Sequence, residues 1–116
     1  MARLDPWRLR EVAILLDNLV ITLRSGSNPE WANVFGHFGQ ELKQVGPRMT
    51  GDRSELVRLI HNIRLCLITE SGLSRLILAS GDSEESGPLN RQFTVLKARL
   101  KKALDEIEKR LIGYVN

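Results

Sequence analysis

Between Leu89 and Leu111 an apolar side chain returns every three or four residues: Leu89, Phe93, Leu96, Leu100, Leu104, Ile107 and Leu111. Wound at about 100° per residue, these positions lie within ~40° of one line, which is the mark of a long amphipathic helix. The spacing predicts a helix over about 88–112, opened by Pro88 and roughly 37 Å long at about 1.5 Å per residue. Such a helix cannot bury its apolar line alone. It needs other helices beside it, and a bundle is the economical solution. Its outer faces carry charges suited to i,i+4 pairing, Asp105 with Lys109 and Glu106 with Arg110.

Three further segments supply the partners. A first helix is expected over about 6–24, started by Asp5-Pro6 and stopped at Arg24-Ser25-Gly26, because Pro suits the first helical position and Gly the end. Leu9, Val12, Ala13, Leu16, Leu19, Val20 and Leu23 share its inner face. A second is expected over about 29–45, capped by Asn28, with Trp31, Phe35, Phe38, Leu42 and Val45 along one seam. Gly36 and Gly39 sit inside it, each costing about 1 kcal/mol against Ala, so a close approach to the first helix is the expected compensation. A third helix, about 53–70, aligns Leu56, Leu59, Ile60, Ile63 and Leu67. A short helix is expected at about 73–79, and residues 81–87 read as an acidic flexible loop before the final helix. No strand-like alternation and no internal repeat appears. The fold class is therefore all-α: a single domain, residues 1–116, forming a mostly antiparallel bundle with the first helix in the middle.

The first helix carries a second apolar line on the side away from its inner face. Trp7, Ile14 and Ile21 recur every seven residues, with Arg10, Asp17 and Arg24 alongside. Three charges at that spacing do not suit a fully buried face, and a Trp with two Ile does not suit a fully wet one. The expectation is a narrow strip, half covered by the final helix or by a second molecule. This strip is the first candidate binding surface. A second comprises Arg58, His61 and Leu65 on the outer side of the third helix, with Arg75 near in sequence.

Chemistry is harder to find. His37 and His61 stand apart, Cys66 is the only cysteine, and no spacing of metal-ligand type is present. Cys66 lies between Leu65 and Leu67, where a thiol behaves as a small hydrophobe. Phosphate-binding and nucleophile-elbow motifs are absent. No catalytic residue, cofactor or metal site is expected, and the chain is read as a non-enzyme. A net charge of +3 is mild, and its cations are dispersed among acids, so no nucleic-acid partner is expected. Nor is a membrane: the longest uncharged run is too short to span one. Residues 1–6 lack the apolar core of a secretory signal, and a lone cysteine suits a reducing compartment, so the expected location is cytoplasmic.

Ser27-Asn28-Pro29-Glu30-Trp31-Ala32 after a leucine-rich helix, and Gly72-Leu73-Ser74-Arg75-Leu76-Ile77-Leu78 later, resemble a family of small helical bacterial proteins of unassigned function. Proteins of that kind are found as toxin-immunity proteins. The similarity covers roughly residues 9 to 80; its motifs are a helix cap and a core segment. The chain departs from the pattern around Gly72, where a second glycine and an aromatic are expected, and adds its long charged final helix. The resemblance implies a protein-binding module, an immunity-type antagonist that blocks a cognate toxin domain. A homodimeric helical regulator or adaptor is the alternative, and a nucleic-acid-binding accessory protein comes third.

Overall fold

The computed structural model describes residues 6–26, 28–45, 54–68 and 83–115. They form four helices: α1 (Pro6–Ser25), α2 (Pro29–Val45), α3 (Ser54–Ile68) and α4 (Ser83–Val115). No strand occurs among the described residues, and the all-α bundle expected from the apolar spacing is present. The segment expected as a short helix at about 73–79 lies outside the described residues, as does Arg75.

The junction between α1 and α2 has a local cause. At the end of α1, Gly26 N–H donates to the Thr22 carbonyl at 3.0 Å and Asn28 N–H donates to the Leu23 carbonyl at 2.9 Å. The second bond closes six residues in the manner of a Schellman end. The Asn28 carbonyl then accepts from Ala32 N–H at 3.1 Å, so one residue closes α1 and opens α2. The final helix begins five residues before Pro88, and residues 83–87, expected in a loop, are helical. Near its start the helix tolerates Pro88, whose missing N–H costs a single bond, to the Glu84 carbonyl.

Packing follows a ring. α1 lies against α2 and α4, and α3 lies against α2 and α4. Gly36 faces Val20 while Gly39 faces Leu16 and Asp17, so α1 and α2 run antiparallel. Gln92 reaches Thr22, and residues 99–106 of α4 line a groove with residues 7–15 of α1, so that pair is antiparallel too. The first helix is thus not in the middle, as its two apolar lines suggest, but at a corner diagonal to α3. The 33 residues of α4 make about 50 Å of helix, matching the 50 Å long axis of the molecule.

The core is the set of inner faces. Leu16, Leu19, Leu23, Phe35, Leu56, Ile60, Ile63, Phe93, Leu100 and Leu104 are fully buried, each worth about 1.5–3 kcal/mol relative to exposure. Phe35 meets Phe38 edge-on with centroids 5.6 Å apart, and the Trp31 ring lies tilted against Phe35 at 6.0 Å. Every expected inner position of α3 and all but Leu89 of α4 are buried; Leu89 packs against the core while partly exposed. The expected close approach at the α2 glycines is only partial. A Cβ on Gly36 would stand 3.8 Å from Val20 Cγ2, and one on Gly39 would stand 4.0 Å from Leu16 Cβ, which is ordinary contact.

Candidate protein-docking surface

With the inner face of α1 spent on the core, the outer line faces water. Trp7 is 47% exposed, Ile14 60% and Ile21 62%. The strip is bordered by two grooves rather than covered by a helix. On the α4 side, Trp7, Ile14, Leu15 and Ala103 form the apolar part of an open groove of about 740 Å³. Arg8, Arg10, Arg99 and Lys102 bring four cations to it, against the carboxylates of Glu11 and Glu106. The Arg8 guanidinium sits over the Trp7 ring, 4.4 Å from its centroid, so the indole is held against α1 rather than left to swing. On the α2 side, Ile21 borders a smaller groove of about 460 Å³, whose wall is lowered where Gly36 and Gly39 present no side chain. Asp17 and Lys43 stand across that groove with a charge separation of 3.9 Å.

The residues of the second candidate surface lie on the outer side of α3. Arg58 and His61 are exposed on α3 and Leu65 is 42% exposed. Val57 and Ile68, at spacings visible in the sequence, extend it along the same face. Because α1 and α3 are diagonal in the ring, the two surfaces look away from each other and are not one site. Arg75, placed near the second by sequence, lies outside the described residues.

The first groove also takes a wall from α4 that the sequence does not assign to it. Arg99, Lys102, Ala103 and Glu106 follow i, i+3, i+4, i+7 and so share a face. That much is visible in the sequence, but nothing there says which face of α4 borders α1.

Elsewhere several charged side chains pair with one another. Arg64 of α3 bridges to α4, its Nη1 donating to Glu108 Oε2 at 2.8 Å and its Nε lying 3.1 Å from Asp105 Oδ1. Asp105 also meets Lys101 at 3.5 Å, rather than the Lys109 that i,i+4 spacing suggests. His37 pairs with Glu41 on the exposed side of α2 at 2.9 Å. Cys66 is half-buried, and burial pushes its thiol above the ordinary value. Among the described residues no group of three or more His, Cys, Asp or Glu is placed to hold a metal ion. No helix among them is long and apolar enough to cross a membrane. Compared with known proteins, the chain matches no family model, no curated protein and no solved structure.

Proposed function

We propose that this chain is a non-enzymatic protein-binding module that docks its partner on the outer face of α1. One observation carries the reading: Trp7, Ile14 and Ile21 stand exposed in a line on a helix whose opposite face is fully committed to the core. An ordered apolar strip with a tryptophan anchor and a charged border has the anatomy of a binding patch, an aromatic centre with a polar rim. Leaving it wet in the free protein costs solubility and serves no packing purpose. In the immunity-type version, supported by the resemblance of residues 27–32 and 72–78, the partner is a toxin domain and docking blocks its active site. The chain acts as a plug and needs no catalytic group of its own.

The experiment is an interaction screen of genome-encoded protein fragments, repeated against Ile14→Glu/Ile21→Glu and against Leu65→Glu. Fragments lost with the α1 variant and kept with the α3 variant support the reading. Fragments indifferent to the α1 variant contradict it. The immunity version is tested separately: at least one such partner must arrest growth when expressed alone and be neutralised by co-expression of this chain.

A further inference from the structure

The groove between α1 and α4 carries information about the sign and shape of what enters it. Its floor is apolar, built from Trp7, Ile14, Leu15 and Ala103, and its rim holds four cations against two carboxylates. Arg10, Arg99 and Lys102 are exposed, with charged ends free to meet a partner. We infer that the occupant is an acidic amphipathic segment of a different protein. Its apolar side chains seat on Trp7 and Ile14 while its carboxylates pair with Arg10, Arg99 and Lys102. This rests on reading the outer face of α1 as the docking surface, and adds the chemical class of the partner.

Two other occupants fit less well. A second copy of the chain, laid antiparallel on α1, brings the Ile21 end against the Trp7 end. The charges it offers there are Arg24, Lys43 and Asp17, and Asp17 already faces Lys43 at 3.9 Å. A parallel pairing sets cation against cation. Either way the chain supplies too little negative charge to complement its own groove, and like charges in apposition work against association. A nucleic-acid backbone would meet the cations, but also Glu11 and Glu106 in the same groove. It would also leave the Ile14 and Leu15 floor without an apolar partner. Only a segment with its own apolar line and acidic border matches both halves of the surface, as in helix-in-groove recognition.

The probe is a phage-displayed library of random peptides about 16 residues long, enough for about 24 Å of helix. It is selected on the full chain, with counter-selection on Ile14→Glu/Ile21→Glu. The inference expects recovered peptides to carry apolar residues at i, i+3 or i+4, and i+7, with a net negative charge. Their affinity should fall about tenfold or more against Arg99→Glu/Lys102→Glu and weaken steeply between about 50 and 200 mM salt, as exposed charge pairs do. Circular dichroism of that variant must match the wild type, as both positions are exposed. Recovered peptides that are neutral or basic yet lost with the α1 variant overturn the acidic partner while leaving the docking face standing. Selection that yields nothing dependent on Ile14 and Ile21 overturns both. A concentration-dependent dimer abolished by Ile14→Glu/Ile21→Glu overturns the inference in favour of a second copy.

Discussion

Arg64 on α3 and Glu108 on α4 meet at 2.8 Å, with Asp105 one turn away sharing the same guanidinium. The three are each about two-thirds covered, so the cluster is a hinge pin between two helices rather than a surface ornament. A double-mutant cycle of Arg64→Met and Glu108→Gln should give a coupling of about 1 kcal/mol, the upper end for partly exposed pairs, and should shrink in high salt. Arg64→Met alone should cost more than the coupling, since it leaves Asp105 and Glu108 facing one another. A coupling indistinguishable from zero at low salt would mean that the pair is decorative.

Truncation inside the long helix should be far more costly. Leu100 and Leu104 are fully buried on α4, and Leu→Ala at either position should lose ~2–5 kcal/mol by chemical denaturation. A loss under about half a kcal/mol would place α4 off the bundle.

The α2 glycines reverse the usual expectation for conserving small residues at a helix contact. A methyl at Gly36 or Gly39 would find ordinary contact with α1. Gly36→Ala and Gly39→Ala should therefore each raise stability, by about 0.5–1 kcal/mol from helix propensity. Destabilisation by either would show that the two helices are closer than described. Because both glycines also border the Ile21 groove, the same variants report whether an open groove there matters to binding.

Burial raises the Cys66 thiol above its ordinary 9.0. The folded chain therefore holds that proton at pH values where the unfolded chain has released it. The contribution is fully present below about pH 9 and is lost as pH rises through the folded value. Wild type should lose stability on going from pH 8 to 10 more steeply than Cys66→Ala, measured by urea midpoints. Equal slopes would contradict the burial described. Alkylation at pH 8 should likewise be slower in the folded chain than in urea.

The inner faces of α3 and α4 were legible in the sequence because each is a narrow line with a clean period. The buried arc of α1 was legible only in part: Leu9, Val12, Leu16, Leu19 and Leu23 are buried as expected, but a corner helix with two neighbours is covered over about 180°, wider than one amphipathic stripe. Leu15 and Thr22 are buried at its α4 edge, with Thr22 Oγ1 donating to the Asn18 carbonyl at 2.9 Å and lying 3.5 Å from Gln92 Nε2. A threonine carries no apolar signal, so only the neighbour reveals it. The helix α4 starts earlier than the sequence indicates because Gly87-Pro88 reads as a breaker and the small and acidic residues before it read as loop. For the proposed docking surface, Trp7, Ile14 and Ile21 could be named from their seven-residue spacing, but their exposure could not. Arg99 and Lys102 could not be assigned to them, because periodicity gives the faces of a helix and not its neighbours.

The most direct test takes the double variant Ile14→Glu/Ile21→Glu and measures its unfolding free energy beside its affinity for a selected partner fragment. Both side chains stand mostly in water. The unfolding free energy should therefore shift by no more than about 0.5 kcal/mol, while binding falls by about 100-fold or more, the loss expected when central anchors are replaced by charge. A variant that unfolds, or loses several kcal/mol, would show that the outer line of α1 belongs to the core. A stable variant that keeps full affinity would show that the partner docks elsewhere.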